Sequence, residues 1–236
     1  MEISDLPVLL LAGGKGTRIQ HLLNDLPKPM YPVFNRPFLD YQIDYLLKFG
    51  FQNFYISTGY QGHVIANYYR NNKNINIIHE TQPLGTGGGI LFAMSKIKEP
   101  NVIVLNGDTL YLLDFFSFVN HALNNPLHTC IALKTVVDST RYGTVILDNF
   151  NKITHFIEKG KSNTGPGLIN AGIYYLNKQQ ILNYSFPEIC SIEETIFPKI
   201  IESGIYGFKA HNEFIDIGTP ETLHEIENFV KVNNLI

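Results

Sequence analysis

The chain has 236 residues, of which 44% are hydrophobic and 17% are charged, so it is apolar enough to bury a sizeable core and is not disordered in composition. Its formal net charge of −3 excludes the basic surface that binds DNA or RNA, and any anion it binds should be small and held in a local pocket. The cysteines, Cys130 and Cys190, lie far apart and outside any C-x-x-C, which excludes a disulfide framework and predicts two buried apolar side chains.

Strand-length apolar runs alternate with helical periodicity through the first half of the chain. We predict strands at residues 8–12, 53–57, 75–79 and 102–105, and helices at residues 38–49, 63–70, 89–96 and 115–123. Gly50 is the expected stop of the first helix. Alternation at this spacing predicts βαβ units and a mostly parallel sheet.

The second half has more strands and fewer helices. We predict strands at residues 129–136, 143–147, 153–158, 172–176, 206–209 and 213–216, and helices at residues 192–202 and 220–231. Thr219 is the expected N-cap of the last helix. With few helices between them, some strands should pair antiparallel, which makes the sheet mixed. Residues 162–167 are expected to form a loop rather than a domain boundary, so residues 1–236 are predicted to form one domain.

No apolar run has the length of a membrane span. The run at residues 8–12 is also too short for the core of a signal peptide, and no basic segment precedes it. The sequence therefore predicts a cytoplasmic protein with no membrane partner.

A glycine-rich segment directly follows the first predicted strand. Residues 11–19 read Leu-Ala-Gly-Gly-Lys-Gly-Thr-Arg-Ile, and Gly13, Gly14 and Gly16 allow main-chain N–H groups to approach an anion closely. Arg18 adds a planar charged group suited to phosphate. The segment is not a P-loop, and G-x-G-x-x-G from Gly14 fails at Ile19. Because ligands bind at the carboxyl ends of parallel strands, this segment is a candidate phosphate site rather than a plain tight turn.

Residues 11–18, followed by Leu-Pro-Lys-Pro-Met at 26–30, resemble the signature of the sugar-1-phosphate nucleotidylyltransferases. Further motifs follow in the family's order, so the resemblance covers residues 8–222. It implies an α/β fold, a Rossmann-like three-layer sandwich with a mixed, mostly parallel central sheet. It also implies that the N-terminal half binds the nucleotide and the C-terminal half binds the sugar phosphate.

The resemblance also implies a set of nucleotide-binding residues. These are Leu11, Ala12, Gly13, Gly14, Gly16, Thr17, Arg18, Glu80, Leu84, Gly85 and Thr86. The segment at 80–89 would form one wall of the base pocket. Glu80 could accept hydrogen bonds from N1–H and the N2 amine of guanine, which uracil and thymine cannot match, or it could be a solvated residue at a strand end.

Three charged residues are the expected catalytic groups, Arg18, Lys28 and Asp108. Lys28 lies between two prolines that fix the local backbone, and Asp108 ends an Asn-Gly-Asp sequence after an apolar strand. In the family that the chain resembles, two aspartates hold Mg²⁺, and Asp108 and Asp216 occupy the matching motifs. Taken alone, Lys28 could be an ordinary surface lysine, and Asp108 or Asp216 could be a turn-forming or helix-capping aspartate.

The sugar-phosphate site is implied by three later motifs. Gly143 lies in Tyr-Gly-Thr-Val, Glu158 and Lys159 form a Glu-Lys pair, and Asn170 begins Asn-Ala-Gly-Ile-Tyr. Gly160 replaces the proline that usually follows the pair, which leaves the orientation of Lys159 open. An ordinary surface ion pair is the other interpretation of Glu158 and Lys159.

Within the family, the sequence is most similar to the bacterial D-glycero-D-manno-heptose 1-phosphate guanylyltransferases. This similarity implies GTP and a heptose or mannose 1-phosphate as substrates, Mg²⁺ as cofactor, a nucleotide sugar for surface polysaccharide as product, and possible homodimers. Two alternatives stay open, a uridylyltransferase for an N-acetylated amino-sugar 1-phosphate and an inactive regulatory protein that binds nucleotide sugars. A glycosyltransferase of related fold is disfavoured because residues 106–108 lack its D-x-D motif.

Overall fold

The structure of the chain, a computed structural model, describes residues 2–125, 128–157 and 165–235. The strands are β1 (Pro7–Ala12), β2 (Pro32–Val33), β3 (Arg36–Pro37), β4 (Asn53–Thr58), β5 (Ile75–His79), β6 (Asn101–Asn106), β7 (Thr109–Tyr111), β8 (Thr129–Val136), β9 (Thr144–Leu147), β10 (Ile153–Ile157), β11 (Gly167–Asn177), β12 (Ile205–Ala210) and β13 (Phe214–Asp216). The α-helices are α1 (Phe38–Leu47), α2 (Gly62–Tyr69), α3 (Gly85–Met94), α4 (Phe115–Leu123), α5 (Lys178–Leu182), α6 (Phe197–Ile200) and α7 (Pro220–Val232).

The chain divides into two compact units that do not coincide with the two halves of the sequence. Unit 1 comprises Met1–Pro83, Leu105–Leu112 and Glu213–Ile236, and unit 2 comprises Leu84–Val104 and Leu113–Asn212. The C-terminal segment with Asp216 therefore belongs to the same unit as the glycine-rich segment. One domain over residues 1–236 stays a prediction.

Unit 1 is built on strands in the order β6-β1-β4-β5, with β6 contributing residues 105–106. β1 pairs parallel with β4, and β4 pairs parallel with β5, so that Leu10 lies opposite Ile56 and Ile56 opposite Ile77. The first five residues of β1 are apolar and four of them are buried, as expected for a strand covered on both faces. The carboxyl ends of these parallel strands lie at one edge, where the polar segments after Ala12, Thr58 and His79 begin.

A hydrophobic cluster supports that edge in unit 1. It joins the segment after the glycines, α1, the β7–β13 ladder and α7 through Ile19, Leu23, Val33, Phe38, Tyr41, Leu110, Ile215, Ile217, Leu223, Ile226 and Val230. The predicted cap of the last helix is confirmed, since the Thr219 side chain accepts a hydrogen bond from the N–H of Thr222. Pro220 occupies the first helical position, where its missing N–H is tolerated.

Unit 2 contains the mixed pairing that the sequence predicts. The strand order is β10-β9-β11-β6, and β8 pairs antiparallel with β11 and parallel with β12. β9 and β10 form an antiparallel pair. Cys130 on β8 and Cys190 are buried free thiols, as predicted from their isolation in the sequence. Burial raises the pKa of both thiols.

Several boundaries differ from the prediction. α3 begins at Gly85, four residues earlier than expected, so that Gly85, Gly87 and Gly88 are also helical. β7 was not predicted, and β11 begins at Gly167 rather than at 172. The predicted helix at 192–202 is divided into a wide turn (Ile192–Ile196), α6 and a 3₁₀ turn, because Pro198 has no N–H to donate four residues back. In the described ranges, no helix has the length and apolar composition that crossing a membrane requires.

Candidate active site

The glycine-rich segment and the Pro-Lys-Pro turn are in contact in unit 1. Gly16 has a φ of +60°, and a Cβ built on it would lie 3.2 Å from Cε of Lys28. Glycine is therefore favoured there by both backbone conformation and space. Lys28 begins a 3₁₀ turn in which Pro29 and Met30 are buried. The Lys28 side chain is only 12% exposed, so it has little freedom to move away from the glycines.

The ammonium of Lys28 binds the carboxylate of Asp108. Nζ of Lys28 lies 2.8 Å from Oδ2 of Asp108, and the Thr109 hydroxyl donates to Oδ1 at 3.3 Å. Burial alone would raise the pKa of Asp108, but the positive charge and hydrogen bond of Lys28, the Thr109 hydroxyl and the charge of Arg18 outweigh it. The pKa of Asp108 is therefore below its ordinary value, and the carboxylate is ionised at neutral pH.

Gly107 fixes the position of Asp108 relative to the glycine-rich segment. Its N–H donates to the carbonyl oxygen of Leu11 at 2.9 Å. A Cβ on Gly107 would lie 2.5 Å from that oxygen and 3.2 Å from Cγ of Pro29. The strand end that carries Asp108 thus approaches the end of β1 more closely than a larger residue permits.

Asp216 lies beside Asp108 because β13 pairs with β7. Asp216 is opposite Thr109 in this antiparallel ladder, and the N–H of Ile217 donates to the carbonyl oxygen of Asp108 at 2.9 Å. Oδ1 of Asp216 accepts a hydrogen bond from the N–H of Gly218 at 2.9 Å. The two aspartates that are far apart in sequence are therefore neighbours at the same end of unit 1.

Arg18 lies next to this pair of aspartates. A Cβ built on Gly218 would lie 3.5 Å from Nη2 of Arg18, and the charge of Arg18 contributes to lowering the pKa of Asp108. Arg18, Thr17 and Gly14 are exposed, whereas Ala12 is buried and belongs to the strand. The predicted catalytic residues Arg18, Lys28 and Asp108 are thus brought together in unit 1.

Glu80 lies at the end of β5, facing the glycine-rich segment. Its N–H donates to the carbonyl oxygen of Thr58 at 2.7 Å, and its Oε1 accepts a hydrogen bond from the Ser57 hydroxyl at 2.7 Å. A Cβ on Gly13 would lie 3.1 Å from Oε1 of Glu80. Ser57 was missed by the sequence analysis, although it is the first polar residue after the apolar centre of the predicted strand at 53–57.

The predicted base-wall residues Leu84, Gly85 and Thr86 lie in unit 2 at the start of α3. Leu84 is buried, while Gly85 and Thr86 are exposed. The carbonyl oxygen of Cys190 accepts hydrogen bonds from the N–H groups of Gly87 at 2.9 Å and Gly88 at 3.2 Å. These helix N-terminal donors are therefore paired within the protein rather than available to an anion.

The segment 190–192 fixes this helix start from the other side as well. The N–H of Cys190 donates to the carbonyl oxygen of Leu84 at 3.0 Å, and the Thr86 hydroxyl accepts from the N–H of Ile192 at 3.1 Å. Thr86 thus has a structural partner in addition to its predicted role.

Two of the predicted sugar-site residues line one pocket in unit 2. The pocket has a volume of about 180 Å³ and is lined by Gly143, Thr144, Phe156, Ile157, Asn170, Glu193 and Glu194. The N–H of Asn170 donates to the carbonyl oxygen of Gly143 at 3.2 Å, and its side-chain amide donates to Oε1 of Glu193 at 3.2 Å. The predicted Glu158 and Lys159 lie outside the described residues.

Glu193 and Glu194 were not predicted as site residues. Their N–H groups both donate to the hydroxyl of Ser191 at 3.2 Å, which fixes the backbone that carries the two carboxylates. The sequence Ser-Ile-Glu-Glu at a predicted helix start is the available signal, but it indicates a helix cap rather than a pocket.

Comparison with known proteins identifies the family to which the chain belongs. Residues 7–233 match the family model described as Nucleotidyl transferase. The chain is 38% identical over 217 residues to a D-glycero-alpha-D-manno-heptose 1-phosphate guanylyltransferase of Aneurinibacillus thermoaerophilus, covering 90% of this chain and 93% of the relative. It is 35% identical to the enzyme of the same name from Campylobacter jejuni, covering 90% of this chain and 95% of the relative.

Solved structures show the same relationship. HddC from Yersinia pseudotuberculosis, complexed with GMP-PN, is 34% identical to this chain and has a TM-score of 0.83. The match covers 95% of this chain and 99% of HddC. A putative glucose-1-phosphate thymidylyltransferase from Bacillus anthracis has a TM-score of 0.85, with coverages of 96% of this chain and 95% of that chain, but is 18% identical, so it supports the fold alone. The chain therefore belongs to the nucleotidyl transferase family, as a sugar-1-phosphate nucleotidylyltransferase with the predicted Rossmann-like α/β fold.

Proposed function

We propose that this enzyme condenses GTP with D-glycero-α-D-manno-heptose 1-phosphate, or with mannose 1-phosphate, and releases pyrophosphate. The observation that carries the proposal is the single cluster in unit 1 of the glycine-rich segment, Arg18, Lys28, Asp108 and Asp216. The names of the relatives, which specify guanylyl transfer to a heptose phosphate, support this choice of substrates. The product would serve surface polysaccharide synthesis.

The triphosphate would bind at the glycine-rich segment. Gly14 is exposed, so its main chain is accessible to a phosphate oxygen, and Arg18 and Lys28 supply positive charge on either side. Leu11, Ala12, Gly13, Gly16 and Thr17 would shape the same surface, since they form the end of β1 and the segment that follows it.

The carboxylates of Asp108 and Asp216 fit a Mg²⁺ ion. In the described part of the chain, no group of three or more His, Cys, Asp or Glu side chains is arranged around a metal position. Mg²⁺ is held by one or two protein carboxylates together with substrate phosphates and water, so two adjacent aspartates suit it. When bound, Mg²⁺ would neutralise phosphate charge as the reaction proceeds.

The proposed reaction is a direct displacement. An oxygen of the sugar 1-phosphate forms a bond to the α-phosphorus of GTP, and the bond from that phosphorus to the oxygen bridging to the β-phosphate breaks. Pyrophosphate carries away the bonding electrons. The attacking oxygen is already an anion at neutral pH, so a general base is not required. Arg18 and Lys28 offset the repulsion between the two anions and stabilise the charge on the leaving group.

Glu80 would select the base. Its carboxylate lies at the end of β5 beside Gly13, where it can accept hydrogen bonds from N1–H and the N2 amine of guanine. Leu84, Gly85 and Thr86 would contact the face or edge of the base from the start of α3.

The sugar would occupy the pocket of unit 2. Asn170 and the carboxylates of Glu193 and Glu194 offer acceptors for sugar hydroxyl groups, and Phe156 offers an apolar surface for C–H groups. Gly143 leaves space for the sugar at its own position. Glu158 and Lys159 are proposed to bind a hydroxyl and the phosphate respectively. We further propose that the enzyme acts in the cytoplasm. We also propose that it forms a homodimer, which sedimentation of the purified chain would test.

A substrate panel tests the proposed function. Purified protein with Mg²⁺ is given GTP, ATP, UTP or CTP and, in turn, heptose, mannose, glucose and N-acetylglucosamine 1-phosphates, and pyrophosphate release is measured. We expect the highest kcat/KM with GTP and the heptose phosphate. Turnover of UTP with the amino-sugar phosphate and not of GTP would establish the uridylyltransferase alternative. Nucleotide-sugar binding without any turnover would establish the regulatory alternative.

A further inference from the structure

Ser57 is a buried hydroxyl at the carboxyl end of β4, and its bonding partner is the proposed base-reading residue. The side chain is fully buried at 0% exposure, and the hydroxyl donates to Oε1 of Glu80 at 2.7 Å. Burying a hydroxyl is unfavourable unless it is hydrogen-bonded, so this bond is costly to break. The neighbouring buried hydroxyl of β4, that of Thr58, has Ile78 and His79 as its described partners and is not bonded to Glu80.

β4 anchors Glu80 at two points. The carbonyl oxygen of Thr58 accepts the Glu80 N–H at 2.7 Å, and the Ser57 hydroxyl binds the carboxylate at the other end of the side chain. These two hydrogen bonds restrict the rotation of the Glu80 carboxylate. Oε2 and one lone pair of Oε1 then remain for a ligand.

We propose that Ser57 is a positioning residue that sets base specificity by holding the Glu80 carboxylate against the guanine edge. This inference rests on the proposed function, in which Glu80 reads the base. Guanine presents two adjacent donors, N1–H and the N2 amine, and a carboxylate in a fixed orientation can accept from both. Adenine and cytosine present a ring nitrogen acceptor at the equivalent position, and uracil presents one donor between two carbonyl acceptors.

Orientation matters more than charge for this discrimination. A carboxylate that rotates freely still attracts one N–H, but it makes the second bond only part of the time. Inosine triphosphate keeps N1–H and lacks the N2 amine, so the ratio of GTP to ITP activity measures the second bond alone. Losing the Ser57 hydroxyl should therefore lower that ratio while leaving phosphate binding and the chemical step unchanged.

The test compares Ser57→Ala with the wild-type enzyme. We measure kcat/KM for GTP, ITP and UTP at saturating heptose 1-phosphate, together with calorimetric dissociation constants of GTP and ITP in the presence of Mg²⁺. We expect Ser57→Ala to lower the GTP-to-ITP ratio by about tenfold, the size expected for a hydrogen bond to a charged group, with kcat for ITP nearly unchanged. Ser57→Thr, which keeps the hydroxyl, should restore the ratio.

Thr58→Val is the matched control, because it removes the neighbouring buried hydroxyl of the same strand, which is not bonded to Glu80. We expect it to keep the wild-type ratio. A double-mutant cycle with Glu80→Gln adds a second readout: if Ser57 acts through Glu80, Ser57→Ala has no further effect on the ratio in that background.

The outcomes separate this inference from the proposed function. A wild-type enzyme that does not prefer GTP contradicts the proposed function. A wild-type enzyme that prefers GTP over ITP, with an unchanged ratio in Ser57→Ala, contradicts the positioning role alone. A ratio that falls equally in Thr58→Val also overturns it, because the effect would then come from loosening the strand. Melting curves confirm that each variant is folded.

Discussion

Lys28 and Asp108 form an ion pair of 2.8 Å at the place where the glycine-rich segment meets the end of β6. Both side chains belong to unit 1, and each comes from a segment whose backbone is fixed, by prolines on one side and by the Gly107 bond on the other. Lys28 thus neutralises the carboxylate that is proposed to bind Mg²⁺. Replacing Lys28 should therefore change both the local charge and the binding of Mg²⁺.

Lys28→Met should abolish most of the activity. We expect kcat to fall by about 10²–10³-fold, because a fixed ammonium near the transferring phosphate is lost and the Asp108 carboxylate loses its partner. Steady-state rates of pyrophosphate release measure the effect. Lys48→Met, at an exposed lysine after α1, is the control and should retain wild-type kcat. Equal rates for both variants would exclude a catalytic role for Lys28.

Asp216→Asn should weaken the use of Mg²⁺ without unfolding the protein. Asparagine has the same shape and can keep the bond from the Gly218 N–H, but it lacks the charge that Mg²⁺ prefers. We expect the Mg²⁺ concentration for half-maximal activity to rise by about tenfold or more. Asp25→Asn, at an exposed turn residue with a φ of +61° that asparagine also tolerates, should leave the Mg²⁺ titration unchanged. An unchanged titration in Asp216→Asn would contradict the metal assignment.

Gly107→Ala and Gly14→Ala should separate folding from binding. The Cβ that Gly107→Ala adds would lie 2.5 Å from the Leu11 carbonyl oxygen, so we expect a loss of about 1–3 kcal/mol in the free energy of unfolding. A Cβ at Gly14 has no described atom within 4 Å, so that variant should melt like the wild type. Its methyl group would still crowd a triphosphate, so its KM for GTP should rise. A wild-type KM for Gly14→Ala would argue that the triphosphate does not approach this residue.

Glu193→Gln should affect the sugar and not the nucleotide. The glutamine can keep a partner for the Asn170 amide through its carbonyl oxygen, but it is a weaker acceptor for sugar hydroxyl groups. We expect KM for the sugar 1-phosphate to rise by about tenfold while KM for GTP is unchanged. Glu202→Gln, at an exposed glutamate outside the pocket lining, is the control. A change in KM for GTP of the same size would place Glu193 in a general structural role.

His121 should make the protein less stable at mildly acidic pH. Burial lowers the pKa of His121 on α4, and its Nε2 has no hydrogen-bond partner among the described atoms. Below the ordinary histidine pKa of 6.5, His121 therefore binds a proton more readily in the unfolded chain than in the folded chain. The free energy of unfolding consequently falls as pH falls through 6.5.

His121→Phe should remove this dependence, because a phenyl ring can still pack against Phe208, whose ring centroid lies 5.4 Å from that of His121. Melting temperatures at about pH 7.5 and about pH 5.5, on either side of the ordinary histidine pKa, give the readout, and the difference between the two should be smaller in the variant. His63→Asn, at an exposed position, serves as the comparison and should behave like the wild type. An equally large acid-induced shift in His121→Phe would assign the effect to other groups.

The parts of the candidate site that lie within one continuous motif could be proposed from sequence. The glycines, Arg18 and Lys28 are local signals, because their chemistry depends on the neighbours in the chain and on the strand that precedes them. The alternation of strands and helices likewise predicted the parallel strands of unit 1 and the mixed pairing of unit 2.

Long-range pairing explains what was missed. The three-residue strand β7 is too short to show a period, and only its ladder with β13 explains why Asp216 is next to Asp108. Ser57 and Glu193 are recognisable only by the side chains they meet, Glu80 and Asn170, which are 23 residues away in each case. Gly85, Gly87 and Gly88 have low helix propensity and were not predicted to be helical, but hydrogen bonds from Gly87 and Gly88 to Cys190 support the helix there.

Hydrogen bonds run in both directions between the start of α3 and residues 190–192. They affect the design of chimeras in which segments are exchanged between related enzymes to change substrate preference. Cys190 supplies an acceptor to Gly87 and Gly88 and a donor to Leu84, and Ile192 donates to Thr86. A chimera that exchanges only one of these two stretches would leave several peptide groups unmatched. The two stretches should be transplanted together as one cassette, even though about a hundred residues separate them in the chain.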